Sequence, residues 1–210
     1  MRKFYFLAFI FAFVLSSAQT YSFDVLTKYN SLGKNNKIHN ENVVYFNSDN
    51  FNYYLRLLRG QEYFYAYLFD NELNKVHEFN VIEKINGKEI VFSFEYVNSK
   101  KLIRNPISQK NFSYEWSESS NDVKILKIYK TRKAKKPNQE YQFSFKKSNK
   151  NLFPIFRISV MHPLEDNNMI NIADNLIVEK ARSICNNPPC SCDFRLADYK
   201  NVSLELVIPQ

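Results

Sequence analysis

FNYYLRLLRGQEYFYAYLFDNELNKVHEFNV, residues Phe51 to Val81, decides the fold class. Large apolar side chains recur at every second position. Phe51, Tyr53, Leu55 and Leu57 alternate with Asn52, Tyr54 and Arg56, and after Arg59-Gly60-Gln61 the beat resumes at Tyr63, Tyr65, Tyr67 and Phe69. Asp70-Asn71-Glu72 closes that run. A period of two puts successive side chains on opposite sides of an extended chain, so these segments are β-strands joined by turns.

Working outward, the same beat returns along the chain. It runs through Ile90–Tyr96, Phe112–Trp116, Val123–Tyr129, Tyr141–Phe145, Phe156–Val160 and Val202–Ile208. Turn signals lie between the runs: Asn86-Gly87, a hairpin dipeptide, then Ser119-Ser120-Asn121-Asp122 and Lys136-Pro137-Asn138. Only three glycines against 14 Tyr, 19 Phe and one Trp suit a sheet covered by large rings and leave no glycine-rich phosphate loop. The prediction is an all-β protein. It has one domain over 19–210, built as a curved antiparallel meander or half-barrel of about ten strands with at most one or two short helices. One segment departs from the beat. Met169, Ile172, Ala173, Leu176, Ile177 and Ala181 are spaced as one helical face, which Asp166 could cap, although "NLIVEK" also reads as a strand.

The Tyr63–Phe69 run is apolar on both faces, which means either burial between two layers or an aromatic-lined cavity. For the second case the candidate ligand-binding side chains are Tyr63, Phe64, Tyr65, Tyr67, Phe92 and Phe94.

The N-terminus reads MRKFYFLAFIFAFVLSSAQT. Arg2 and Lys3 precede an apolar run from Phe4 to Leu15, and Ser16 and Ala18 are the small residues of a cleavage site. These features predict a secretory signal peptide over 1–18, a mature start at Gln19 and a periplasmic or extracellular location. The apolar run falls short of the roughly 20 residues that span a bilayer, so no transmembrane anchor is expected after cleavage.

Export governs the reading of CNNPPCSCDF, Cys185 to Phe194, which holds every cysteine of the chain. In an oxidising compartment three clustered thiols predict one disulfide, from Cys185 to Cys190 or Cys192, with one thiol left over. C-x4-C-x-C lacks the fourth ligand of a zinc site, and no metal or other cofactor is expected.

Further chemistry is sparse. His39, His77 and His162 stand apart, and no nucleophile elbow is present, so the reading is non-enzymatic. The formal charge is +8, of which Arg2 and Lys3 supply two. A basic exported protein can meet an anionic envelope surface. The one cluster, Lys130–Lys136, ends at Pro137-Asn138 as a solvated hairpin tip, which disfavours a nucleic-acid partner.

Tyr45-Phe46, then Arg56, then Asp70-x-Glu72-x-x-x-Val76 follow one another within Asn42–Val81. This order resembles the LolA/LolB-like superfamily of exported proteins. The resemblance implies a long antiparallel sheet curved into a half-barrel, helices across its concave side around an apolar pocket, and a functional arginine at Arg56. The sequence shows no clear pair of such helices. The lysine- and asparagine-rich style, with Ser-Ser-Ala-Gln at the cut, also resembles uncharacterised secreted proteins of the Bacteroidetes type. The function expected is binding of an apolar or lipid-like ligand; the alternatives are an envelope interaction protein without a small ligand and an undetected hydrolase.

Overall fold

Among the described residues eleven strands follow one another: β1 (Gln19–Leu32), β2 (Ile38–Asn47), β3 (Asn50–Arg59), β4 (Phe64–Asp70), β5 (Lys75–Asn86), β6 (Glu89–Lys101), β7 (Ser113–Glu118), β8 (Lys124–Tyr129), β9 (Gln139–Lys147), β10 (Leu176–Asn186) and β11 (Pro189–Ile208). The computed structural model describes residues 18–61, 63–86, 89–104, 112–119, 123–186 and 189–209. Of the signal peptide expected over 1–18, residues 1–17 lie outside the described residues, as do Gly87 and Ser120–Asp122 of the expected turns.

All strands join one antiparallel sheet in the order β6-β5-β4-β3-β2-β1-β11-β10-β9-β8-β7. Each half is a meander, and the two meet where β1 pairs with β11. The sheet is curved and unclosed, and its connectivity requires curvature. β6 and β7 are the two edges, yet only residues 102–112 join them. A flat sheet of this width would separate its edges by about 48 Å. Twelve residue steps reach about 40 Å at most.

One helix, α1 (Phe153–Val160), packs on β1, β2 and β10. The period-two reading of Phe156, Ile158 and Val160 as a strand is thus corrected. Pro154 stands in the first turn of α1, where a missing N–H costs nothing, and Asn151 Oδ1 accepts the Phe153 N–H at 3.0 Å. The helix is largely apolar and buried on nearly every side: Phe153, Ile155 and Phe156 are fully enclosed. Phe156 meets Tyr29, Phe143 and Phe194 edge-on, with ring centroids 5.3, 5.5 and 6.0 Å apart. Arg157 is buried as well, at 3 % exposure. Its guanidinium donates to the carbonyls of Glu165, Asn167 and Ile170 and to Asn168 Oδ1 at 2.7–3.1 Å. It thereby fixes the loop that seats Leu164, Ile170 and Ile172 in the core.

The helical face expected over Met169–Ala181 is a second correction. Residues 161–175 are turns and loop, and Leu176–Asn186 is β10. A register shift between Val178 and Lys180 inserts Glu179 as an extra residue, so the buried positions fall at Ile177, Val178 and Ala181. That bulge breaks the period of two and imitates helical spacing.

The other face of the sheet carries a second core. β2 pairs with β1 only over Val25–Leu32. Beyond Asp24, whose carboxylate accepts the Ser48 N–H at 2.7 Å, β1 continues as a two-stranded ribbon with the end of β11. The ribbon brings Tyr21, Phe23, Leu206 and Ile208 against Tyr45, Leu55, Leu57, Ala66, Leu68 and Phe79. The face carrying α1 is the helix face; the one under the ribbon is the back face. β2 lies between both cores, which is why consecutive residues Val44, Tyr45 and Phe46 are all buried.

Candidate functional site

Residues directly opposite in an antiparallel pair share a face. Tyr54 pairs with Phe69 and Arg56 with Tyr67, which puts these four side chains on the helix face. Leu55 pairs with Leu68 and Leu57 with Ala66 on the back face. The two-sided apolar pattern of β4 therefore has two meanings. Its back face, Ala66 and Leu68, is closed core. Its helix face, Tyr65, Tyr67 and Phe69, is half-buried and extends beyond the strands that α1 covers.

These rings form a row. Ring centroids are 6.2 Å apart for Tyr63–Tyr65, 5.6 Å for Tyr65–Tyr67 and 6.4 Å for Tyr67–Phe69. Phe69 stacks on Tyr54 at 4.9 Å, which carries the row into the core. At the outer end Tyr63 is 65 % exposed. Arg56 lies beside the inner end, its guanidinium 5.8 Å from the centroids of both Tyr54 and Phe69. Its Nη2 donates to the carbonyl of Ile158 in the last turn of α1 at 2.9 Å, while its Nε has no partner among the described residues. Burial raises the Tyr67 hydroxyl, and the nearby Glu78 carboxylate adds to this, so Tyr67 stays neutral and able to donate.

Of the six ligand candidates, Tyr63, Tyr65 and Tyr67 form this row. Phe64, Phe92 and Phe94 lie together on the back face, half-buried: Phe64 meets Phe92 at 5.9 Å, and Phe94 meets Tyr45 at 6.0 Å. No single pocket gathers all six. Cavities open at the rims of the sheet instead. One of about 440 Å³ lies beside Trp116, Lys124 and Ile172, and one of about 470 Å³ beside Leu152, Leu196 and Tyr199.

A polar cluster is sealed under the ribbon. Tyr21 donates to Asp70 Oδ2 at 2.6 Å, so its oxygen is left to accept from His77 Nε2 at 3.3 Å. His77 Nδ1 then accepts the Ser99 hydroxyl at 2.6 Å. Burial, and next Lys75, hold the imidazole below its ordinary pKa, while Asp70 pulls the other way. The cluster ties β1 to β4, β5 and β6, and its members are fully partnered where they are buried. Its long-range pairing of Tyr21 with Asp70 left no signal in sequence spacing.

Cys185 and Cys190 face each other across the β10–β11 hairpin and form the disulfide; Cys192 is free and half-buried. Burial, and then Asp193, raise the Cys192 thiol above its ordinary pKa. Among the described residues no group of three His, Cys, Asp or Glu side chains gathers as a metal site, and no helix is long and apolar enough to cross a membrane. No family model, curated protein or solved structure matches the chain.

Proposed function

We propose that this chain is an exported, non-enzymatic binding protein whose apolar or lipid-like ligand lies along the aromatic row of β4, beside α1 and Arg56. The uncovered row carries the reading. A strand whose back face is closed core keeps Tyr63, Tyr65 and Tyr67 exposed or half-buried on the helix face, with Phe69 joining them to the core. Four alternate strand positions span about 20 Å, enough for an extended acyl chain. The tyrosine hydroxyls give the row a polar margin, and the unpartnered Arg56 Nε is a donor for a carboxylate or phosphate headgroup. The resemblance to the LolA/LolB-like superfamily is supported by a helix lying on one face of a curved sheet, with Arg56 hydrogen-bonded to it.

An envelope interaction protein without a small ligand is the second reading. It is favoured by the core beneath α1, which is filled by Phe153, Ile155 and Phe156.

Mass spectrometry of lipid co-purifying with protein recovered outside the cytoplasm separates the two, together with titration of an apolar fluorescent probe. Wild type should bind the probe, and Tyr67→Ala should weaken binding about tenfold, the scale of one lost aromatic contact. Absence of both co-purified lipid and probe binding overturns the first reading and leaves the second.

A further inference from the structure

The two edges of the sheet are built differently. β7 is six residues long, and short edge strands are a known protection against pairing with another chain. β6 is 13 residues long, and its outer edge has no strand partner among the described residues. It is also rich in apolar side chains: rings on one face, and two valines beside Ser93 and Glu95 on the other. Phe92, Phe94 and Tyr96 are half-buried on the back face, while Val91 and Val97 are 45 % and 44 % exposed. A long apolar edge with free backbone groups is a template for another strand.

We propose that β6 is a homodimer interface, pairing antiparallel with β6 of a second copy about a two-fold axis through Phe94. Backbone geometry allows it. Asn86 faces Glu89 across a two-residue connection, and the pair closing such a connection exchanges its backbone hydrogen bonds. Alternation then turns the N–H and C=O of Val91, Ser93 and Glu95 toward Lys84, Ile82 and Asn80 of β5. Those of Phe92, Phe94 and Tyr96 point outward. In the proposed register Phe94 meets Phe94 of the second copy, and Phe92 meets Tyr96, so every outward group finds a complementary one. The half-buried rings join into one continuous aromatic layer on the back face. On the opposite face Ser93 stands across from Glu95, with no like charges facing, and Val91 and Val97 flank the paired stretch. Sliding the axis one residue to Glu95 would set two glutamates directly opposite, which is destabilising. The extra residue of β6 between Tyr96 and Asn98, opposite Glu78 and Phe79, ends the flat stretch where the pairing ends.

Sedimentation equilibrium of the oxidised mature protein over a wide concentration range is the test, with folding checked by circular dichroism. A concentration-dependent dimer is expected. Ser93→Glu faces Glu95 twice in the symmetric pair and should raise the dimer Kd about fivefold or more. Ser93→Glu with Glu95→Lys restores opposite charges and should return Kd to near the wild-type value. Ser93→Lys alone should tighten it, which keeps the test decisive if Ser93→Glu fails to fold. A monomer at every concentration overturns the proposal. So does a dimer indifferent to Ser93→Glu, or a double variant as weak as the single.

Discussion

Replacing Arg157 tests the buried guanidinium and the four hydrogen bonds it donates. Arg157→Met keeps a long apolar stem but strands four acceptors: the carbonyls of Glu165, Asn167 and Ile170 and the Asn168 side chain. Two effects compete. Removing a buried cation recovers desolvation energy, and burial, partly opposed by Asp166, pushes the Arg157 pKa down to about 10, so the charge is still present at neutral pH. Against this, each buried acceptor left unmade costs about 1–3 kcal/mol. The Ile170 carbonyl lies in the sealed core, whereas exposed Asn168 can turn to water. Breaking one side of a buried charged network typically costs about 3–5 kcal/mol, and the stranded acceptors should win here. For a chain of this length that lowers Tm by roughly 8–15 °C. Arg157→Lys retains the charge but not the planar fork and cannot reach all four acceptors, so it should cost nearly as much. Thermal denaturation of both variants, with hydrogen exchange over residues 164–172, is the assay. Arg157→Lys within about 1 kcal/mol of wild type would refute the reasoning, because charge alone would then suffice.

Two further outcomes follow from the geometry. Denatured, unreduced protein should titrate one thiol, Cys192, and Cys190→Ser should cost about 2 kcal/mol because the closed loop is short; three free thiols would contradict the pairing. His77 is held below its ordinary pKa when folded, so the unfolded chain takes up the proton first. Its contribution to stability is complete above about pH 6.5 and is lost as pH falls through the depressed folded value. Urea unfolding should show that loss flattened in His77→Gln, and an unchanged pH slope would assign the effect elsewhere.

The fold class was legible because strand alternation is local. β3 to β9 follow the beat that opens at Phe51, and the turns at Gly60, Asn71 and Pro137 fall between strands as the residues demand. Two segments were misread, for opposite reasons. α1 is so enclosed that its apolar residues show no solvent face, and Phe156, Ile158 and Val160 alternate by accident; Pro154 after Asn151 was the available signal. β10 carries a bulge at Glu179 that erases its period. β1 was missed although Tyr21, Phe23, Val25 and Tyr29 alternate cleanly. The candidate site was legible as rings but not as a surface. Alternation separates Tyr63, Tyr65 and Tyr67 from Phe64, but which row the helix leaves open depends on where α1 docks, and no local pattern encodes that.

The junction of β1 with β11 has a consequence in time. Gln19 lies opposite Ile208, so the innermost seam of the sheet joins the first described strand to the last. Every other pairing links consecutive strands, most of them through short connections, with α1 and its loops inserted only between β9 and β10. The seam cannot form until the final strand is free. Each arm can therefore assemble early from low contact order hairpins, but the molecule becomes one cooperative unit only at a late, long-range closure, the kind of step that slows folding most. A chain threaded through an export channel would remain in two halves until its last residues emerged.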